Sequence, residues 1–131
     1  MKVILANGVE LNPIIITGSS RKVHGATRDV LTFVFDENTT LESLETTFTE
    51  SNCETITIVE GENAKYIHKG YVILSELAKR PMEIVPATEE AEGVYENRAF
   101  IGMAQRTYAE NQIAENTAAL NALLTGGDGN V

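Results

Sequence analysis

From Val3 to Met103 the apolar positions mostly alternate with polar ones at the two-residue period of strands, and Thr, Val and Ile are abundant. From Ala109 to Leu124 the spacing becomes helical, and the glycine-rich stretch Gly126-Gly127-Asp128-Gly129 follows as a stop. The change of period divides the chain into a β-rich body over 1–108, a C-terminal amphipathic helix over 109–124 and a flexible tail over 125–131.

Within the body, Val3 to Leu5 predicts a short strand and Asn7-Gly8 the tight turn of a hairpin. The returning segment, Val9 to Thr17, contains Pro13, which cannot donate to a ladder, so an edge or bulged strand is expected there. Gly18-Ser19-Ser20 reads as a loop. Arg28 to Phe35 is the clearest strand: Leu31, Phe33 and Phe35 fall on one face, Val30, Thr32 and Val34 on the other. Both faces are apolar enough to predict cover on two sides.

Thr39 fits the N-cap of a capping box completed by Glu42, and Leu41, Leu44 and Phe48 share a helical face, predicting a short helix from Thr40 to Phe48. Asn52-Cys53-Glu54 turns into a strand from Thr55 to Glu60, and Gly61-Glu62-Asn63 makes a hairpin connection. A long strand, Lys65 to Leu77, is expected next, with Ile67, Tyr71, Ile73 and Leu77 on one face. Pro81 and Pro86 bracket a short strand from Met82 to Val85, Ala87 to Glu92 is a polar loop, and Gly93 to Arg106 reads as the last strand. The fold class is mainly β (β+α): a small β-barrel or sandwich with one short internal helix near 40–48 and a C-terminal helix.

In the C-terminal segment Ala109, Ile113, Asn116, Leu120 and Leu123 recur at spacings of four and three, the pattern of a coiled-coil seam with Asn116 in a core position. The stretch spans only about two heptads, short of the three or four that define a coiled coil. Two uses are open to this stripe: folding back onto the body, or meeting a partner.

The chain has 131 residues, enough for one domain with a real core, and 43% of them are hydrophobic. Its formal net charge of −9 points away from nucleic acid, which needs clustered Lys and Arg, and from anionic membranes. Acids dominate from Asp36 to Glu62, where no Lys or Arg intervenes, and again from Glu83 to Glu96; both runs read as solvated faces. Cys53 is the only cysteine, so no intrachain disulfide can form and a reducing compartment is expected. The apolar run at the N-terminus is too short for a signal peptide, which suggests a protein kept in the cytoplasm or packaged from there into a particle.

No motif carries chemistry. His24 and His68 are the only histidines and have no metal-ligand spacing; with a carboxylate they could form a cross-strand metal or catalytic site only if the fold joined them. Cys53 reads as a semi-buried structural residue rather than a nucleophile. The pairs Asp36-Glu37 and Glu89-Glu90 read as exposed loop acids, with Asp36 starting a turn. One Gly-Gly-Asp-Gly copy is not a calcium repeat. Catalytic residues, metal ligands and cofactors are therefore expected to be absent.

The segments Ala-Asn-Gly-Val-Glu-Leu at 6–11, Arg28-Asp29-Val30-Leu31-Thr32-Phe33, the helix from Leu41 to Phe48, Ile67-His68-Lys69-Gly70-Tyr71 and Met103-Ala104-Gln105-Arg106-Thr107-Tyr108-Ala109-Glu110 carry a resemblance that covers most of the chain. In them the sequence resembles small proteins encoded in the tail regions of Firmicutes phages and prophages. The resemblance implies a small β-barrel module of tail tubes, hubs or baseplates, without an active site to carry over. It leads to the expectation of a non-enzymatic structural or assembly protein whose partners are other tail proteins or further copies of itself. Ile113, Leu120, Leu123 and Leu124 are the expected contact residues. The alternative is a small ligand- or carbohydrate-binding β-domain with a pocket lined by Tyr66, Tyr71 or Tyr95.

Overall fold

The computed structural model describes residues 1–62 and 64–126. Eight strands and two helices run in the order β1 (Lys2–Ile4), β2 (Glu10–Leu11), β3 (Ile15–Val23), β4 (Ala26–Phe35), α1 (Leu41–Thr47), β5 (Thr55–Glu60), β6 (Ala64–Lys69), β7 (Ile73–Val85), β8 (Val94–Ala104) and α2 (Tyr108–Gly126). The strands form two four-stranded antiparallel sheets, ordered β2-β1-β5-β6 and β3-β4-β8-β7. Neither sheet closes on itself, so the sandwich-like member of the two expected architectures is the one observed.

The core lies between the sheets. Val3, Ile56 and Ile58 from one sheet meet Leu31, Phe33, Phe35, Ile101 and Met103 from the other, and α1 adds Leu44 and the following Phe48. Phe48 packs its ring 5.3 Å from Phe33 and 6.2 Å from Phe35, which fixes the short helix as a plug against β4. As expected for a strand covered twice, β4 also buries Val30, Thr32 and Val34 on its other face. On that side the Arg80 guanidinium lies 3.9 Å over the Phe100 ring.

The chain crosses between the sheets three times: once through α1, from β4 to β5, and twice where continuous strands were expected. The segment from Val9 to Thr17 divides at Asn12-Pro13-Ile14: β2 belongs to one sheet and β3 to the other. The expected strand from Lys65 to Leu77 divides at Gly70, whose φ of +79° is open only to glycine at low cost. Ile67 consequently stands exposed on β6, while Tyr71 is buried in the crossing.

Three further expectations are corrected. Gly18-Ser19-Ser20 is not a loop but the middle of β3, an edge strand whose small residues pair with Leu31, Val30 and Asp29. The segment from Met82 to Val85 is not a separate strand but the end of β7, and Pro81 lies inside that strand opposite Asn97. Proline is tolerated there because β7 is a sheet edge. The N-cap of α1 is Thr40 rather than Thr39: Thr40 Oγ1 accepts the Ser43 N–H at 3.2 Å, while Asp36 holds the preceding turn by accepting from Asn38 and Thr39. The Asn7-Gly8 turn, the strand from Thr55 to Glu60 and the polar loop after Val85 stand as expected. Asn63 of the expected hairpin connection and residues 127–131 of the expected tail lie outside the described residues.

Candidate functional site: the terminal helix and its anchor

After β8 the chain is fastened by main-chain bonds to β4 and to the β6–β7 crossing. The Gln105 N–H donates to the Asp29 carbonyl at 2.8 Å, and the Arg106 N–H to the Gly70 carbonyl at 2.9 Å. The Arg106 side chain then spans to the α1–β5 connection, with Nη2 2.7 Å from Glu54 Oε1 and 2.9 Å from Glu50 Oε1. Two acids of the Asp36–Glu62 run, themselves 72% and 47% exposed, thus hold a largely buried arginine.

The helix starts with a reciprocal cap. Thr107 Oγ1 accepts the Glu110 N–H at 3.3 Å, and Glu110 Oε1 accepts the Thr107 N–H at 2.8 Å. The capping-box signature Thr107-Tyr108-Ala109-Glu110 is present in the sequence, and pattern reading placed the box at Thr39 instead. Glu110 serves a second purpose: its carboxylate takes both terminal nitrogens of Arg28, with Nη2 3.0 Å from Oε2. The Arg28 side chain is 3% exposed, and its remaining donors reach the carbonyls of Val23 (Nε, 2.8 Å) and Gln105 (Nη1, 3.3 Å). A buried guanidinium with each of its three nitrogens hydrogen-bonded is a rigid peg, and the first turn of α2 hangs on it.

The Arg28 bond, aided by the Thr107 N–H, holds the Glu110 carboxyl down to about 2. Because the folded pKa lies below the ordinary 4.5, the contribution of this anchor is complete above that value and is lost as pH falls through about 2. In a carboxyl-detected NMR titration Glu110 is expected to titrate near pH 2. In Arg28→Ala its midpoint should return to the ordinary carboxylate range. A wild-type midpoint near 4.5 would contradict the anchor.

Beyond the anchor the helix leaves the body. Glu110, Asn111 and Ala114 are partly covered, with the Asn111 side chain packed against Gly70. Two crevices of about 360 and 290 Å³ open beneath this first stretch, lined in part by Glu54, Lys69, Arg106 and Ala114. From Glu115 to Leu120 every described side chain is exposed. Of the expected seam, Ala109 and Asn116 are exposed, Leu120 is 55% exposed, and Ile113 is 66% exposed at the rim of the smaller crevice, beside Val72 and Ile73. The side chains of Leu123 and Leu124 lie outside the described residues. Neither Ile113 nor Leu120 is buried against the body.

The other candidate residues stay apart. His24 occupies the β3–β4 turn at φ +48°, whereas His68 belongs to β6 in the other sheet, with its ring edge-on to Tyr71 at 5.6 Å. Among the described residues no group of three His, Cys, Asp or Glu side chains converges on a common point. Cys53 is fully buried, and burial, with Glu54 nearby, pushes its thiol up to about 12, the reverse of an activated nucleophile. Tyr66 and Tyr95 are exposed on separate sheets, and Tyr71 lines a cavity. That cavity, about 380 Å³, lies between β3–β4 and β6 and is bordered by Asp29 and His68.

No family model, no curated protein and no solved structure matches this chain. No helix among the described residues is long and apolar enough to cross a membrane.

Proposed function

We infer that this chain is a non-enzymatic structural or assembly protein, of the kind found in phage or prophage tails, and that it acts through protein–protein contacts. The observation that carries this reading is the terminal helix: it is anchored at its first turn by a buried arginine, yet it leaves Ile113 and Leu120 largely exposed. Large apolar side chains held outward on a fixed element lower their free energy by meeting another surface. The tail assignment itself rests on the sequence resemblance.

In this reading the helix joins copies of the chain through Ile113, Leu120, Leu123 and Leu124. Such a contact is apolar and survives high salt. In 1 M NaCl, light scattering coupled to size exclusion is expected to give an oligomer for the full chain and a monomer for Leu120→Asp. Equal masses for the two proteins would overturn the reading. The ligand-binding alternative keeps only the Tyr71 cavity, because Tyr66 and Tyr95 do not line it.

A further inference from the structure

Both sheet edges of β3-β4-β8-β7 end in hairpins whose charges are sorted by sign. The β3–β4 hairpin carries Arg21 and Lys22, and no acid occurs between Leu11 and Arg28. The arm formed by β7, β8 and their connecting loop carries Glu83, Glu89, Glu90, Glu92 and Glu96, and no base occurs between Pro81 and Asn97. Glu83 accepts from the Tyr95 hydroxyl at 2.7 Å and Glu96 pairs with Arg98. Arg21, Lys22, Glu89, Glu90 and Glu92 are exposed and have no ion-pair partner among the described residues.

The acidic arm is also apolar at its end. Val85 and Val94, which face each other in the last rung, are 50% and 46% exposed, and Ile84 is 39% exposed. This is an unpartnered sheet tip ringed by negative charge.

The two tips cannot serve each other within one molecule. β4 and β8 pair only from Val30–Ala104 to Phe35–Ala99, so the basic hairpin overhangs one end of the sheet and the acidic arm the other. The run from Ala26 to Phe35, continued from Ala99 to Val94, separates the tips by about 45 Å at ~3.3 Å per residue. That is several times the screening length of about 8 Å at physiological ionic strength.

We propose that the acidic, apolar-tipped β7–β8 arm docks on the basic β3–β4 hairpin of a second copy of this chain. The occupant is a second copy because every molecule presents both complementary tips and uses neither internally. A contact between unlike surfaces is heterologous, and its repetition builds a ring or an open filament according to the rotation between copies. Two acids lie close to the basic tip: Asp29, across the ladder from Ser20, and Glu110, which is held by Arg28 across the ladder from Arg21; Arg21 and Lys22 remain the outermost charges. The proposal rests on the assembly reading and adds a second contact to it, one that salt weakens.

The test uses the full chain and two charge-reversed variants, R21E/K22E and E89K/E90K/E92K, in sedimentation velocity over a concentration series. In 50 mM NaCl the wild-type mass should rise with concentration beyond the species that persists in 1 M NaCl. Each variant alone should lose that rise, its apparent association weakened at least about tenfold, because both of its tips then carry one sign. An equimolar mixture of the two variants should regain it. Absence of the rise in wild type, its survival in either single variant, or its failure to return in the mixture would overturn the proposal. Circular dichroism confirms that the variants fold. A species in 1 M NaCl that is the monomer would instead count against the helix contact, so the two failures are told apart.

Discussion

Phe33→Ala is expected to lower the free energy of unfolding by about 3–5 kcal/mol, the range for removing a buried aromatic ring. Phe33 is fully buried at the centre of β4, where its ring meets Phe48 and it belongs to the cluster that joins the two sheets. No neighbour can collapse easily into the space, because the positions around it are held by pairing with β3 and β8. Domains have total stabilities of roughly 5–15 kcal/mol, so such a loss takes a large fraction of the whole. Urea unfolding followed by circular dichroism checks it: the midpoint should fall sharply with an unchanged slope. A loss below about 1 kcal/mol would mean that the sheets do not share this core.

The second large effect is expected at the crossing between sheets. Gly70→Val should cost about 1–3 kcal/mol through the backbone alone, since a β-branched residue is forced to positive φ. Gly70 is buried, its N–H donates to the Glu54 carbonyl at 3.1 Å and its carbonyl receives the Arg106 N–H. The chain cannot relax there without releasing both the β6–β7 crossing and the approach to α2. A new Cβ would also come within 3.3 Å of Asn111 Oδ1 on the helix. Gly70→Asn separates the two causes, because asparagine tolerates this region of φ while still adding the Cβ. Chemical denaturation should place Asn well above Val in stability. Equal losses would assign the effect to crowding against Asn111.

Where one interaction dominates locally, the structure was legible in the sequence. The strand from Thr55 to Glu60 alternates cleanly, with Ile56 and Ile58 inward, and its bounds match β5. The two apolar faces of β4 announced cover on both sides, and the period of Leu41, Leu44 and Phe48 announced α1. Reading failed where tertiary placement overrides composition. Gly18-Ser19-Ser20 has loop chemistry, but an edge strand needs only one ladder and few packed side chains. Pro81 looked like a boundary, yet at an edge its missing N–H breaks no interior pairing. The apolar alternation from Lys65 to Leu77, with Lys69 and Ser75 as polar exceptions, concealed a change of sheet, and Gly70 marks the place where it occurs.

The candidate site was half visible. The helix and its stripe follow from spacing, and Ile113 and Leu120 of that stripe are largely exposed. The anchor pairs Arg28 with Glu110 across the fold, which no local pattern in one sequence reveals. Its capping box, Thr107 to Glu110, was available from local pattern and marks where α2 begins.

The most direct measurement compares the full chain with a chain ending at Asn116, by light scattering coupled to size exclusion in 1 M NaCl. Ending there keeps Glu110 on Arg28 and Asn111 against Gly70, so the body and the anchor stay intact while Leu120, Leu123 and Leu124 are removed. An oligomer for the full chain and a monomer for the shortened one is the expected result. The same mass for both, whether monomer or oligomer, would contradict assembly through the terminal helix.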